Sequence, residues 1–182
     1  MITEAAYLFH PEDKAHKGKF ALGTWNYTKT FDHITKTNSD ANGDPVPVQV
    51  SSYGSYLLID KNLTENQTIF LRAGIASREA TTNKVSSSVS GGYTVKGLIP
   101  QRQNDLLGIA FASAQLNPQY LDQQSQAGTG APNTETTYEI NYRIELTPGL
   151  ALQPDFQYVQ HPASSETIKN ASVVAIRIEI GL

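Results

Sequence analysis

The chain has 182 residues, 39% of them hydrophobic, a formal net charge of -3 and no cysteine. The length suits one sizeable domain. Without cysteine there is no disulfide framework and no Cys-based metal site, and a small negative charge with no like-sign block argues against nucleic acid as a partner. No apolar run approaches the ~18 residues of a membrane helix. Mean hydropathy is -0.35, which does not exclude membrane strands, because alternating lipid-facing and water-facing residues average to polar in any window.

Met1, Ile2, Thr3 and Glu4 supply neither the basic region nor the apolar core of a secretion signal. For an outer-membrane protein this predicts a further segment ahead of them. Residues 5–9, 20–27 and 53–58 read as strands of irregular alternation. Ile69, Leu71, Ala73 and Ile75 then alternate against Phe70, Arg72 and Gly74. Residues 89–95 are strand-like, and Leu107, Ile109 and Phe111 alternate against Gly108, Ala110 and Ala112.

The pattern sharpens toward the C-terminus. Tyr138, Ile140, Tyr142, Ile144 and Leu146 oppose Glu139, Asn141, Arg143 and Glu145. Leu150, Leu152, Pro154, Phe156 and Tyr158 oppose Ala151, Gln153, Asp155 and Gln157. Val174, Ile176, Ile178, Ile180 and Leu182 oppose Val173, Ala175, Arg177, Glu179 and Gly181. Side chains two apart share a face in a strand, so each segment has one apolar and one polar face. Runs of this length match the 9–11 residues of a tilted membrane strand. About nine strands are predicted.

Their connections fall into two alternating classes. Residues 10–18, 60–66, 97–104 and 147–149 are compact, whereas 30–47, 78–86, 117–133 and 161–170 are longer and rich in Ser, Thr, Asn, Gln, Gly and Pro. Short turns at one rim and long loops at the other are the arrangement of a membrane barrel. In a barrel the polar face lines a water-filled lumen, so the predicted lumen-lining residues are Arg72, Lys96, Glu139, Arg143, Glu145, Asp155, Arg177 and Glu179. In a soluble sheet the same residues would be an ordinary wet surface.

Other chemistry finds little purchase. His10 and His16 with Glu12 and Asp13 match no standard metal spacing and read as a solvated turn. Ser86, Ser87 and Ser88 have no His or carboxylate at a fixed offset and read as a flexible loop. A lipid-acting barrel enzyme would need a Ser, a His and an acid at one rim, with His161 the one candidate near the outer end of a strong strand. Three Asn-X-Thr sequences, starting at Asn26, Asn62 and Asn66, are accidental glycosylation matches in a bacterial barrel. Asn42-Gly43-Asp44 signals a tight turn. Trp25 and Tyr27 near one rim, and Tyr158 near the other, read as interfacial anchors or as ordinary core aromatics. Tyr53, Tyr56, Tyr93 and Tyr120 are candidates for stacking on sugar rings.

Taken in order, several stretches resemble a known family. They are Tyr56-Leu57-Leu58-Ile59-Asp60, Gly91-Gly92-Tyr93-Thr94-Val95-Lys96-Gly97-Leu98-Ile99-Pro100-Gln101-Arg102 and Asn104-Asp105-Leu106-Leu107-Gly108-Ile109-Ala110. The hairpin from Glu139 through Leu146-Thr147-Pro148-Gly149-Leu150 to Tyr158 continues the series, as do His161-Pro162 and Lys169-Asn170-Ala171. This order resembles the carbohydrate-selective porins of the OprB type, from about residue 51 to the end and more loosely before. The resemblance implies an all-β, antiparallel transmembrane barrel of roughly 16 strands, in the bacterial outer membrane of Gram-negative cells. It implies passive diffusion of small sugars, with no enzymatic activity and no cofactor. The implied partners are small carbohydrates, outer-membrane lipid and the N-terminal half of the barrel, and porins of this kind are often homotrimers. The family's inward-folded constriction loops belong to that N-terminal half, so no selectivity residue carries over. Leu182 departs from the terminal aromatic that outer-membrane barrels often carry.

The chain is therefore expected to be, over residues 1–182, the C-terminal part of a single barrel domain. Nine strands alone leave two open edges, whose unpaired N–H and C=O groups cost several kcal/mol each in lipid. The alternatives are a small closed barrel, whose interior side chains would fill, and a soluble all-β ligand-binding module with the apolar face as its core.

Overall fold

In a computed structural model, residues 1–77, 82–126 and 132–181 are described. Residues 78–81 and 127–131, within two of the expected long connections, lie outside them, as does Leu182. The strands are β1 (Ile2–Phe9), β2 (Gly18–Ser39), β3 (Pro45–Thr64), β4 (Gln67–Ala76), β5 (Val85–Lys96), β6 (Leu106–Leu116), β7 (Thr134–Thr147), β8 (Leu150–Gln160) and β9 (Ala171–Ile180). They form one sheet in chain order, each pairing antiparallel with the next. β1 and β9 are its two edges, so these nine strands do not close into a small barrel of their own.

Register turns the separate alternations into two continuous faces, because directly paired residues point the same way. Tyr93 pairs with Ile109, Ile109 with Ile140, Ile140 with Phe156, and Phe156 with Val174. The other face carries the row from Ala110 through Glu139 to Gln157 and Val173. A soluble module would cover the apolar row with a second layer, and none is present among the described residues. The buried hydrophobic side chains there are Ala21, Leu116 and Ala151. Val174 is 77% exposed and Ile176 67%. An uncovered apolar surface of this extent does not persist in water, and the soluble reading falls on it.

Five strands, β4, β5, β6, β8 and β9, are 10 to 12 residues long, the length that crosses a bilayer. β2 and β3, at 22 and 20 residues, run well past their neighbours. Residues 30–47, expected as a loop, are thus mostly a paired hairpin arm, with β-bulge irregularities after Asn26 and Asp32. Along Thr30 to Ser39 Phe31 and Ile34 are the apolar residues and they fall on opposite parity, so alternation gave no strand signal there. The Asn42-Gly43-Asp44 turn sits at the tip as expected: Gly43 has φ 88, and Asp40 Oδ1 accepts the N–H groups of Asn42 and Asp44.

The connection after β6 contains a helix, α1 (Pro118–Gln126). Asn117 caps it, accepting the Gln119 N–H at 3.0 Å, with Pro118 following at the first helical position. Asn117 also donates its own N–H to the Lys84 carbonyl at 2.7 Å, tying the helix start to the connection before β5. The Lys84 ammonium stands 5.0 Å from the Tyr120 ring centre.

Candidate functional site

The polar face of the sheet is where chemistry is concentrated. All eight residues singled out from sequence share it. Lys96 pairs with Leu106 and Leu106 with Arg143, while Arg72 pairs with Ser90, Ser90 with Ala112 and Ala112 with Thr137. Glu139 pairs with Gln157, Asp155 with Ala175, Gln153 with Arg177, and Glu145 with Ala151, itself opposite Glu179.

Most of these charges are tied to partners. Arg143 Nε donates to Glu179 Oε2 at 2.8 Å, and its Nη1 lies 4.0 Å from Glu145 Oε2. Glu139 accepts from Asn141 Nδ2 at 2.7 Å and from Gln157 Nε2 at 3.3 Å. Arg72 binds Asp60 Oδ1 and the carbonyls of Ile59 and Leu71, and its guanidinium stands 5.4 Å from the Phe70 ring centre. Lys96 and Arg177 form no ion pair among the described residues, and one oxygen of Asp155 is buried without a partner. Four cationic and four anionic side chains balance among these eight, so this face presents hydrogen-bonding groups of both signs.

A second cluster on the same face was not legible as a site. Glu4 on β1 accepts from Lys19 Nζ at 2.9 Å and from the Tyr56 hydroxyl at 2.9 Å, linking β1, β2 and β3. Beside it, Trp25 and Tyr56 have ring centres 6.4 Å apart and planes within 23°. Trp25 pairs with Ile2 and Gly54, so it stands on the polar face and not at a lipid interface. Tyr158 carries its hydroxyl toward Asn170 in the β8–β9 connection, on the long-connection side that Trp25 also occupies, so the two do not mark opposite rims. Of the tyrosines considered for stacking, Tyr56 is on the polar face, Tyr53 and Tyr93 are on the apolar face, and Tyr120 is on α1. Register, which sets Trp25 opposite Gly54 and Tyr56 opposite Gly23, is the signal that sequence alone lacks.

The turns brace the face from below. Asp105, 3% exposed, accepts from Arg102 Nε at 2.7 Å, the Tyr142 hydroxyl at 2.9 Å and the Glu145 N–H at 3.0 Å. Burial pushes its pKa up, but the bonds from Arg102, Tyr142 and the Glu145 N–H outweigh it, and the carboxyl stays below its usual range. In the first turn, Asp13 is lowered by His16, 2.8 Å away, and by the Ala15 N–H. Among the described residues no three His, Asp or Glu side chains converge to hold a metal.

A single-layered antiparallel meander, apolar outside and ion-paired inside, with short turns at one rim, is a stretch of porin-type barrel wall. The chain belongs to the OprB family of carbohydrate-selective porins, whose family model matches residues 1–182. It is 21% identical over 184 residues to Porin B of Pseudomonas aeruginosa, covering 89% of this chain and 40% of that protein. Putative porin QuiX of Acinetobacter baylyi is 24% identical over 167 residues, covering 79% and 38%. A high-pH structure of Pseudomonas putida OprB superposes with a TM-score of 0.82 at 21% identity, over 98% of this chain and 47% of that one. The chain thus spans less than half the length of the relatives it matches.

Proposed function

We propose that residues 1–182 are part of one outer-membrane barrel domain through which small sugars diffuse passively, the remaining strands supplying partners for β1 and β9. The observation that carries this reading is the division of one sheet into an exposed apolar face and an ion-paired polar face. Lipid covers the first and water fills the second. Arg72, Lys96, Glu139, Arg143, Glu145, Asp155, Arg177 and Glu179 line the lumen, where they hydrogen-bond to sugar hydroxyls in passing. No bond is made or broken and no cofactor takes part. Membership of a carbohydrate-selective porin family supports small sugars as the solute class.

The test is vesicle swelling with the complete barrel. Vesicles carrying it should swell in isotonic glucose much faster than empty vesicles, and Arg143→Ala with Arg177→Ala should change the rate. No glucose entry above empty vesicles would end the sugar-channel reading. An unchanged rate and conductance in the double variant would end the lining role.

A further inference from the structure

Four luminal-face glycines lie directly opposite an aromatic residue, and three of them sit against its ring: Gly54 opposite Trp25, Gly23 opposite Tyr56, and Gly92 opposite Phe70, whereas Gly74, also opposite Tyr56, does not. A Cβ on Gly54 would sit 2.2 Å from the Trp25 ring, and one on Gly23 2.2 Å from the Tyr56 ring. Each ring therefore rests on bare backbone, flat against the wall, where any larger residue opposite would lift it. Rings held this way turn one face to the lumen.

Phe70 is already covered by the Arg72 guanidinium, whereas Trp25 and Tyr56 have ring planes within 23° of parallel and centres 6.4 Å apart. Toward the long-connection rim, Trp25 also borders a cavity of about 310 Å³ shared with Tyr27, Phe31, Ser52, Thr82 and Asn83. Ser52 is buried there, and the Thr82 hydroxyl is buried with no hydrogen-bond partner. Cavities of this volume that combine aromatic walls with fixed polar groups accommodate small ligands. A buried hydroxyl without a partner is costly until something bonds to it.

We infer that Trp25 and Tyr56 form a binding subsite for a pyranose in the wall of the channel. The axial C–H groups on one face of the ring stack on the aromatic pair, while its hydroxyls reach Thr82, Ser52 and Asn83. Glu4 holds the Tyr56 hydroxyl, which keeps that ring from swinging off the wall. This subsite rests on the sugar-channel reading and adds to it a place where the sugar pauses. It distinguishes a cyclic sugar from an open-chain polyol, which has the same hydroxyls but no apolar ring face.

The experiment uses the complete barrel in planar bilayers and vesicles, with D-glucose and sorbitol as probes. Trp25→Ala should raise the glucose concentration that half-blocks the ion current by roughly three- to tenfold, with salt conductance little changed. Trp25→Phe should restore most of the loss, Tyr56→Ala should weaken glucose similarly, and sorbitol should respond to none of them. Independently, glucose should perturb the wild-type tryptophan fluorescence in a component that Trp25→Phe abolishes. That titration decides the matter should the alanine variants fail to fold. If wild-type vesicles admit glucose while Trp25→Ala and the fluorescence difference show no effect, the subsite is wrong and the channel reading stands. If wild-type vesicles admit no glucose, both fall together.

Discussion

Arg143 on β7 and Glu179 on β9 form an ion pair, 2.8 Å from Nε to Oε2, that reaches across the whole of β8. The residue beneath the crossing is Ala151, which pairs with both Glu145 and Glu179 and is only 2% exposed. Both side chains are about a third exposed, so the pair adds at most about 1 kcal/mol to stability. On the proposed lining role, its stronger effect is on the field in the lumen. Arg143→Ala leaves Glu145 and Glu179 without their shared cation and should move the reversal potential in a salt gradient toward cation preference. Glu179→Gln should move it the other way. Melting should change by a few degrees at most, and an unmoved reversal potential in both variants would place this pair away from the ion path.

The two faces predict opposite tolerance to charge. Ile140 lies among Ile109 and Phe156 on the apolar face. An arginine there should cost about 2–4 kcal/mol near the bilayer midplane and sharply reduce the yield of folded, heat-modifiable barrel in vesicles. Ala112, on the polar face between Ser90 and Thr137, should accept lysine with nearly wild-type yield. Equal yields for Ile140→Arg and Ala112→Lys would mean the faces have been assigned wrongly.

What the sequence revealed, and what it hid, follows from which environments impose a period. β7, β8 and β9 were legible residue by residue, because a strand with one apolar and one polar face alternates strictly. Thr30 through Ser39 on β2 lost that signal, since Phe31 and Ile34 are the apolar residues there and the bulges break the parity. The helix after β6 was missed although Asn117-Pro118 is a cap followed by a first-turn proline. Its residues look like any polar loop, and what secures it is a hydrogen bond to Lys84, 33 positions earlier. Parity alone set the eight charged positions on one face, whereas the grouping of Tyr56, named from sequence as a stacking candidate, with Trp25 and Glu4 depends on which strand lies beside which.

The cap itself can be tested. Asn117→Ala removes the acceptor for the Gln119 N–H, while the backbone bond to Lys84 remains. Loss of such a cap costs about 0.5–2 kcal/mol, and here the cost falls on α1 and not on the sheet. The barrel's melting should therefore hold while protease cleavage within residues 118–126 accelerates. Unchanged cleavage would show that the helix is held by other contacts.

Asp105 gives the turn rim a pH dependence of definite sign. Its carboxylate is nearly sealed from water and takes three hydrogen bonds, from Arg102, Tyr142 and the Glu145 N–H. Its folded pKa therefore lies below the unfolded value of about 3.9. A depressed carboxylate contributes stability that is fully present above that unfolded value and is lost as pH falls through the folded one. Melting of the wild-type barrel should hardly change between neutral pH and about pH 5 on this account, then fall in stronger acid. Asp105→Asn keeps the shape but turns one acceptor into an N–H₂ group facing donors. It should melt lower at neutral pH and lose part of the acid slope, the remainder belonging to other carboxylates. If the variant kept the wild-type slope in full, the ionised form of Asp105 would not be what anchors the β5–β6 turn to β7.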